Sequence, residues 1–172
     1  WPDFVEKINS ELIAAYGNFV HRVLTLGARL PSSPTGPFAS FDNLESTRDT
    51  QLKLETLHAS ISESLSRHRY KEALRFAMNA AQVGNQLLQS ATPWKFLSES
   101  GDGSNHDYQD ERNAAMASLS FGWRIARFLA ITMQPFLPFS SKRLWTSLGQ
   151  EGEVSETPWD SALDWNVPMT WN

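Results

Sequence analysis

The sequence predicts an all-α fold, a helical bundle of about five helices, antiparallel where the connecting loops are short. Two observations carry the helical class. Apolar residues recur at spacings of three and four in every long segment, which is the period of an amphipathic helix. Prolines and glycines gather between those segments, and no stretch sustains the apolar–polar alternation of a strand. With 172 residues, 41% hydrophobic and 20% charged, the chain suits one domain with a sizeable core.

From Asp3 to about Arg29, Val5, Ile8, Leu12, Tyr16, Phe19 and Val23 mark a first helix. "LPSSPTGPFASFDN" then reads as a surface loop. Leu54, Leu57, Ile61 and Leu65 mark a second helix from roughly Asp49 to Arg67, and Tyr70, Leu74, Ala77, Met78, Ala81, Leu87 and Leu88 a third that ends near Ser90. In "ATPWKFL", Thr92 is expected to cap a short helix, with Pro93 in the first position and Trp94 in the first turn. A polar loop around Gly101 leads to a long helix from about Asp107 to Met133. "QPFLPFSS" breaks that helix, and "SSKRLWTSLG" forms the last one, closed by Gly149. The expected division is a helical domain over 1–150 and a C-terminal extension over 151–172 that packs on the bundle or on a catalytic domain absent from the chain.

The net charge of −4 argues against bulk electrostatic gripping of nucleic acid, so any such role must be local. Without cysteine there are no disulfides or thiolate metal sites, and His21, His58, His68 and His106 lack ligand-like spacing. No apolar run approaches a membrane span, and no signal-peptide layout opens the chain, so a cytoplasmic location with no membrane partner is expected. Because it begins at Trp1 and ends on "PMTWN", the chain reads as a piece of something larger.

Within the first helix, Asn18 and Arg22 stand four positions apart. At 100° per residue the apolar stripe centres on Leu12, Phe19 and Val23, while Glu11, Ala14, Asn18, Arg22, Thr25 and Arg29 gather elsewhere. An amide with donor and acceptor beside a planar fork of donors can satisfy the edge of a nucleobase, and cytosine suits them. The same spacing fits an ordinary solvated face, with Asn18 idle and Arg22 paired to an acid; that is the commoner arrangement. Trp94 is open in the same way, as a core plug or as a stacking platform for an unstacked base.

Other candidates are weaker. Arg67, His68, Arg69, Lys71 and Arg75 form the basic concentration of the chain and fit either phosphate contact or solvated helix ends. Trp123 and Trp145 read as core, and Trp159, Trp165 and Trp171 as packing for the terminal segment. No paired carboxylates, Ser-His-Asp order or phosphate-cradling glycine loop points to catalysis.

Taken together, "FVEKINSELIAAYGNFVHRVLT", "EALRFAMNAAQVGNQLLQSATPWKFL" and "LAITMQPFLPFSSKRLWTSLG" resemble the C-terminal anticodon-binding domain of methionyl-tRNA synthetases, especially the archaeal and eukaryotic type. The resemblance implies that Asn18 and Arg22 match the family's asparagine, three residues, arginine motif, and that Trp94 matches the tryptophan of its "APW" motif. Those three residues would meet the first anticodon base, a cytosine of CAU, by stacking and edge hydrogen bonds. Thr92 departs from the small residue more usual there. The resemblance further implies a methionine-accepting tRNA as partner, an upstream catalytic domain in the same chain, and a parent that uses ATP and magnesium, with zinc left open. No HIGH or KMSKS signature is present, so the segment alone is expected to be non-catalytic. The alternatives are the corresponding domain of a valyl- or isoleucyl-type synthetase and a helical protein-interaction module without an RNA role.

Overall fold

The computed structural model describes residues 12–29, 45–97 and 106–167. The expected start of the first helix with Val5 and Ile8, the loop after Leu30, the stretch 98–105 and Trp171 lie outside the described residues. Six α-helices and no strand appear among the described residues, so the all-α expectation holds. They are α1 (Asn18–Gly27), α2 (Glu45–Ser66), α3 (Tyr70–Ala91), α4 (Trp94–Leu97), α5 (His106–Thr132) and α6 (Pro138–Ser147).

Helix α5 is the centre of the bundle. Every residue from Ala115 to Met133 is buried, whichever side it faces, which marks a helix surrounded by others. Helices α1, α2, α3 and α6 pack against it. The face of α3 that meets its neighbours is built from Ala73, Ala77, Ala80, Ala81 and Gly84, whose small side chains let other backbones approach closely. Trp123, Phe19 and Phe128 fill the space between the helices, and Trp145 is buried as expected. Tyr70, counted as an apolar position of the third helix, is instead largely exposed.

The first helix is not uniform. A single π-helical turn, Leu12–Gly17, precedes α1, so the regular wheel assumed from sequence holds only from Asn18 onward. Gly149 does close α6: it adopts φ of 66°, Gly149 N–H bonds Thr146 O at 3.0 Å, and Gln150 N–H reaches Trp145 O at 3.2 Å.

After α6 the chain makes two 3-10 turns, Val154–Glu156 and Trp159–Leu163, and lies against α2 and α5. Trp159 Nε1 donates to Ser62 Oγ at 2.7 Å, and Trp165 stacks on Phe128 at 6.0 Å. Arg127 of α5 holds the same segment by donating to Gln150 Oε1 at 2.9 Å and Ser161 O at 2.7 Å.

Candidate nucleic-acid interface

Local sequence builds the site in two pieces. On α1, Phe19 and Val23 are fully buried while Asn18, Arg22 and Thr25 are exposed, as the helical wheel predicts, and Ala14 in the π turn and Arg29 just past the helix are exposed as well. Ala15, the neighbour of Ala14, is buried instead, and its carbonyl accepts from Asn85 Nδ2.

The second piece is the turn between α3 and α4. Thr92 does not cap α4 in the extended conformation that an N-cap requires. It sits at φ 43° and ψ 48° as the left-handed C-cap of α3, with its N–H bonded to Leu88 O at 3.0 Å. A β-branched residue in that region is strained, by about 1–3 kcal/mol. The reversal turns Pro93 into the core and sets Trp94, half-buried, at the start of α4.

These pieces meet. The Arg22 guanidinium carbon lies 6.0 Å from the Trp94 ring centroid, within cation–π reach. Asn18 occupies the preceding turn of the same exposed face, and its Nδ2 donates to Ala14 O at 3.0 Å. Since a carbonyl oxygen only accepts, the amide nitrogen must face Ala14, which leaves the Asn18 Oδ1 acceptor directed away from the helix backbone. The arrangement is one outward acceptor, one fork of five donors and one indole face at a single end of the bundle.

The basic concentration behaves differently. Arg67 pairs with Glu63 at 3.0 Å, Arg69 with Glu72 at 3.0 Å, and Arg75 approaches Glu72 at 3.9 Å. These residues sit at the α2–α3 turn, the opposite end of α3 from Trp94, where acids offset much of their charge. A groove of about 670 Å³ opens beside α4, lined in part by Lys53, Thr92, Phe96 and Glu111, but Asn18, Arg22 and Trp94 do not line it.

Sequence reasoning missed the support beneath Asn18. Asn85 Nδ2 donates to Ala15 O at 2.8 Å and to Ala81 O at 3.2 Å, and Gly84 leaves room for the Phe19 ring. The signal available was a glycine inside a helix, where it costs about 1 kcal/mol and so marks a close approach.

No protein-family model matches the chain. Among curated proteins it is 31% identical over 165 residues to a methionine–tRNA ligase of Methanopyrus kandleri, covering 95% of this chain and 22% of that protein. It is 34% identical over 166 residues to the methionine–tRNA ligase of Roseiflexus sp., covering 95% of this chain and 25% of that one. The chain thus spans about a fifth to a quarter of the length of these relatives. Among solved structures, the fold resembles Mycobacterium tuberculosis methionyl-tRNA synthetase in complex with methionyl-adenylate, at TM-score 0.67 and 18% identity, over 99% of this chain and 31% of that one.

Proposed function

Over the segment it shares with them, the chain belongs to the methionine–tRNA ligase family, and from that premise we propose that it is the module that reads the anticodon of a methionine-accepting tRNA. The observation that carries this reading is the meeting of Arg22 and Trp94 beside Asn18. Cytosine offers O2 and N3 as acceptors and its exocyclic amine as a donor. The Arg22 fork donates to the acceptors, the Asn18 Oδ1 accepts from the amine, and the base stacks on Trp94. Uracil at that place presents a carbonyl where cytosine has the amine, and two acceptors would then face each other.

An acidic chain fits this role, because recognition rests on one splayed base rather than on a basic surface. The rest of the parent protein would bind the tRNA elsewhere and join methionine to it through an adenylate formed from ATP with magnesium. No group of three or more His, Asp or Glu among the described residues is arranged to hold a metal. A cytoplasmic location goes with this reading; no described helix is long and apolar enough to cross a membrane.

The test is an anticodon exchange. The 172-residue chain should bind an anticodon stem-loop carrying CAU more tightly than hairpins carrying valine or isoleucine anticodons. Preference for either of the latter would move the assignment to a different synthetase. An interaction module without an RNA role would bind none of them.

A further inference from the structure

We propose that Asn85 is a positioning residue for recognition of the first anticodon base, acting through the π-helical turn that carries Asn18. This rests on the reading given above. Two side-chain amides satisfy consecutive carbonyls of that turn: Asn18 bonds Ala14 O at 3.0 Å, and Asn85 bonds Ala15 O at 2.8 Å. Only the second comes from another helix. The remaining hydrogen of the Asn85 amide nitrogen is directed to Ala81 O at 3.2 Å, within its own helix, so both of its donors are engaged.

A π turn holds one residue more than the α-helical turn it replaces, and it persists where something outside the helix satisfies the displaced backbone. Removing that residue of excess would rotate one side of the helix against the other by about 100°. Phe19, locked under Gly84 and fully buried, fixes the α1 side. The part that would turn is therefore Leu12–Gly17, including the Ala14 carbonyl that orients Asn18. Asn85 prevents this by anchoring Ala15, the residue next to that carbonyl. It touches no base, and its effect reaches the RNA through the direction of the Asn18 Oδ1.

Such a role differs from a merely structural one in what it changes. In Asn85→Asp the volume is kept but the donor is lost, and two acceptors oppose each other at Ala15 O. Binding of the CAU hairpin should fall, while binding of a hairpin changed only at its first base should not. The ratio of the two should drop about tenfold, to the level of Asn18→Ala. Trp94→Ala is the control for the underlying reading, since it removes the stacking platform without touching the turn.

An Asn85→Asp chain that is folded by circular dichroism and keeps its discrimination overturns the proposal, and the reading itself survives if Trp94→Ala still loses binding. If neither substitution matters, the reading of the site fails as well. Where Asn85→Asp does not fold, the unsubstituted chain decides. Its Asn85 side-chain amide resonances should shift with the CAU hairpin and stay in place with the first-base variant, and unmoved resonances at saturating CAU overturn the inference.

Discussion

Arg22 and Trp94 come from different helices, yet the guanidinium carbon of one lies 6.0 Å from the ring centroid of the other. The contact joins the exposed face of α1 to the left-handed turn at Thr92, so a donor fork and a stacking surface share one end of the bundle.

Trp94→Ala should weaken binding of the CAU hairpin by ~1–3 kcal/mol, the usual loss for one stacked base. Far-ultraviolet circular dichroism should be unchanged, because Trp94 is only half-buried and α4 has four residues. Fluorescence anisotropy with a labelled hairpin measures the affinity.

Arg22→Lys should not rescue Arg22→Ala. A lysine keeps the charge but loses the planar fork, and the edge of cytosine presents neighbouring acceptors rather than a point charge. Both substitutions should lower discrimination at the first base by ~1–2 kcal/mol, the scale of one or two lost hydrogen bonds. Equal discrimination by the lysine variant would show that charge alone suffices.

Gly84→Ala should destabilise the bundle although alanine is the better helix former by about 1 kcal/mol. An added Cβ would stand 2.5 Å from Phe19 Cε2 and 2.7 Å from Phe19 Cζ. The ring is fully buried and must shift to admit the Cβ, so overpacking of ~1–3 kcal/mol should outweigh the gain in propensity. Chemical denaturation would measure the balance, and Phe19→Leu in the same chain should relieve it.

Burial pushes the Tyr16 phenol from 10.0 up to about 12. The folded chain therefore keeps a proton that the unfolded chain has already released. Stability should be level below about pH 10 and then decline toward pH 12, by up to ~3 kcal/mol from this group. Tyr16→Phe should remove that part of the decline in urea titrations across the alkaline range.

Trp165→Ala should cost ~3–5 kcal/mol, the range for a large aromatic removed from a core. Its ring stacks on Phe128 and contacts Phe121, and its Nε1 donates to Glu55 Oε1 at 3.3 Å. A loss near zero would mean that the segment after Gln150 adds little to the bundle.

The sequence made the helices legible because their apolar periods are strong, and it made the Asn18–Arg22 face legible because both residues lie in regular α-helix. Its resolution ended where backbone geometry is set by another element. Nothing local distinguishes a π turn at Leu12–Gly17 from an α turn; the difference lies in an amide delivered from Asn85, far along the chain. Thr92 illustrates the same limit. A threonine before proline is an ordinary cap, but here α3 runs one residue beyond Ser90, and Thr92 must reverse the chain instead. The meeting of Arg22 with Trp94 depends on that reversal, so spacing could nominate the residues without bringing them together.

Backbone and side-chain chemical-shift mapping of the 172-residue chain, with a CAU hairpin and with one changed only at its first base, tests the central claim most directly. The account predicts shifts at Asn18, Arg22 and the Trp94 indole for CAU that the altered hairpin does not produce. Identical shifts with both hairpins, or CAU shifts centred on Arg67 to Arg75 instead, would contradict it.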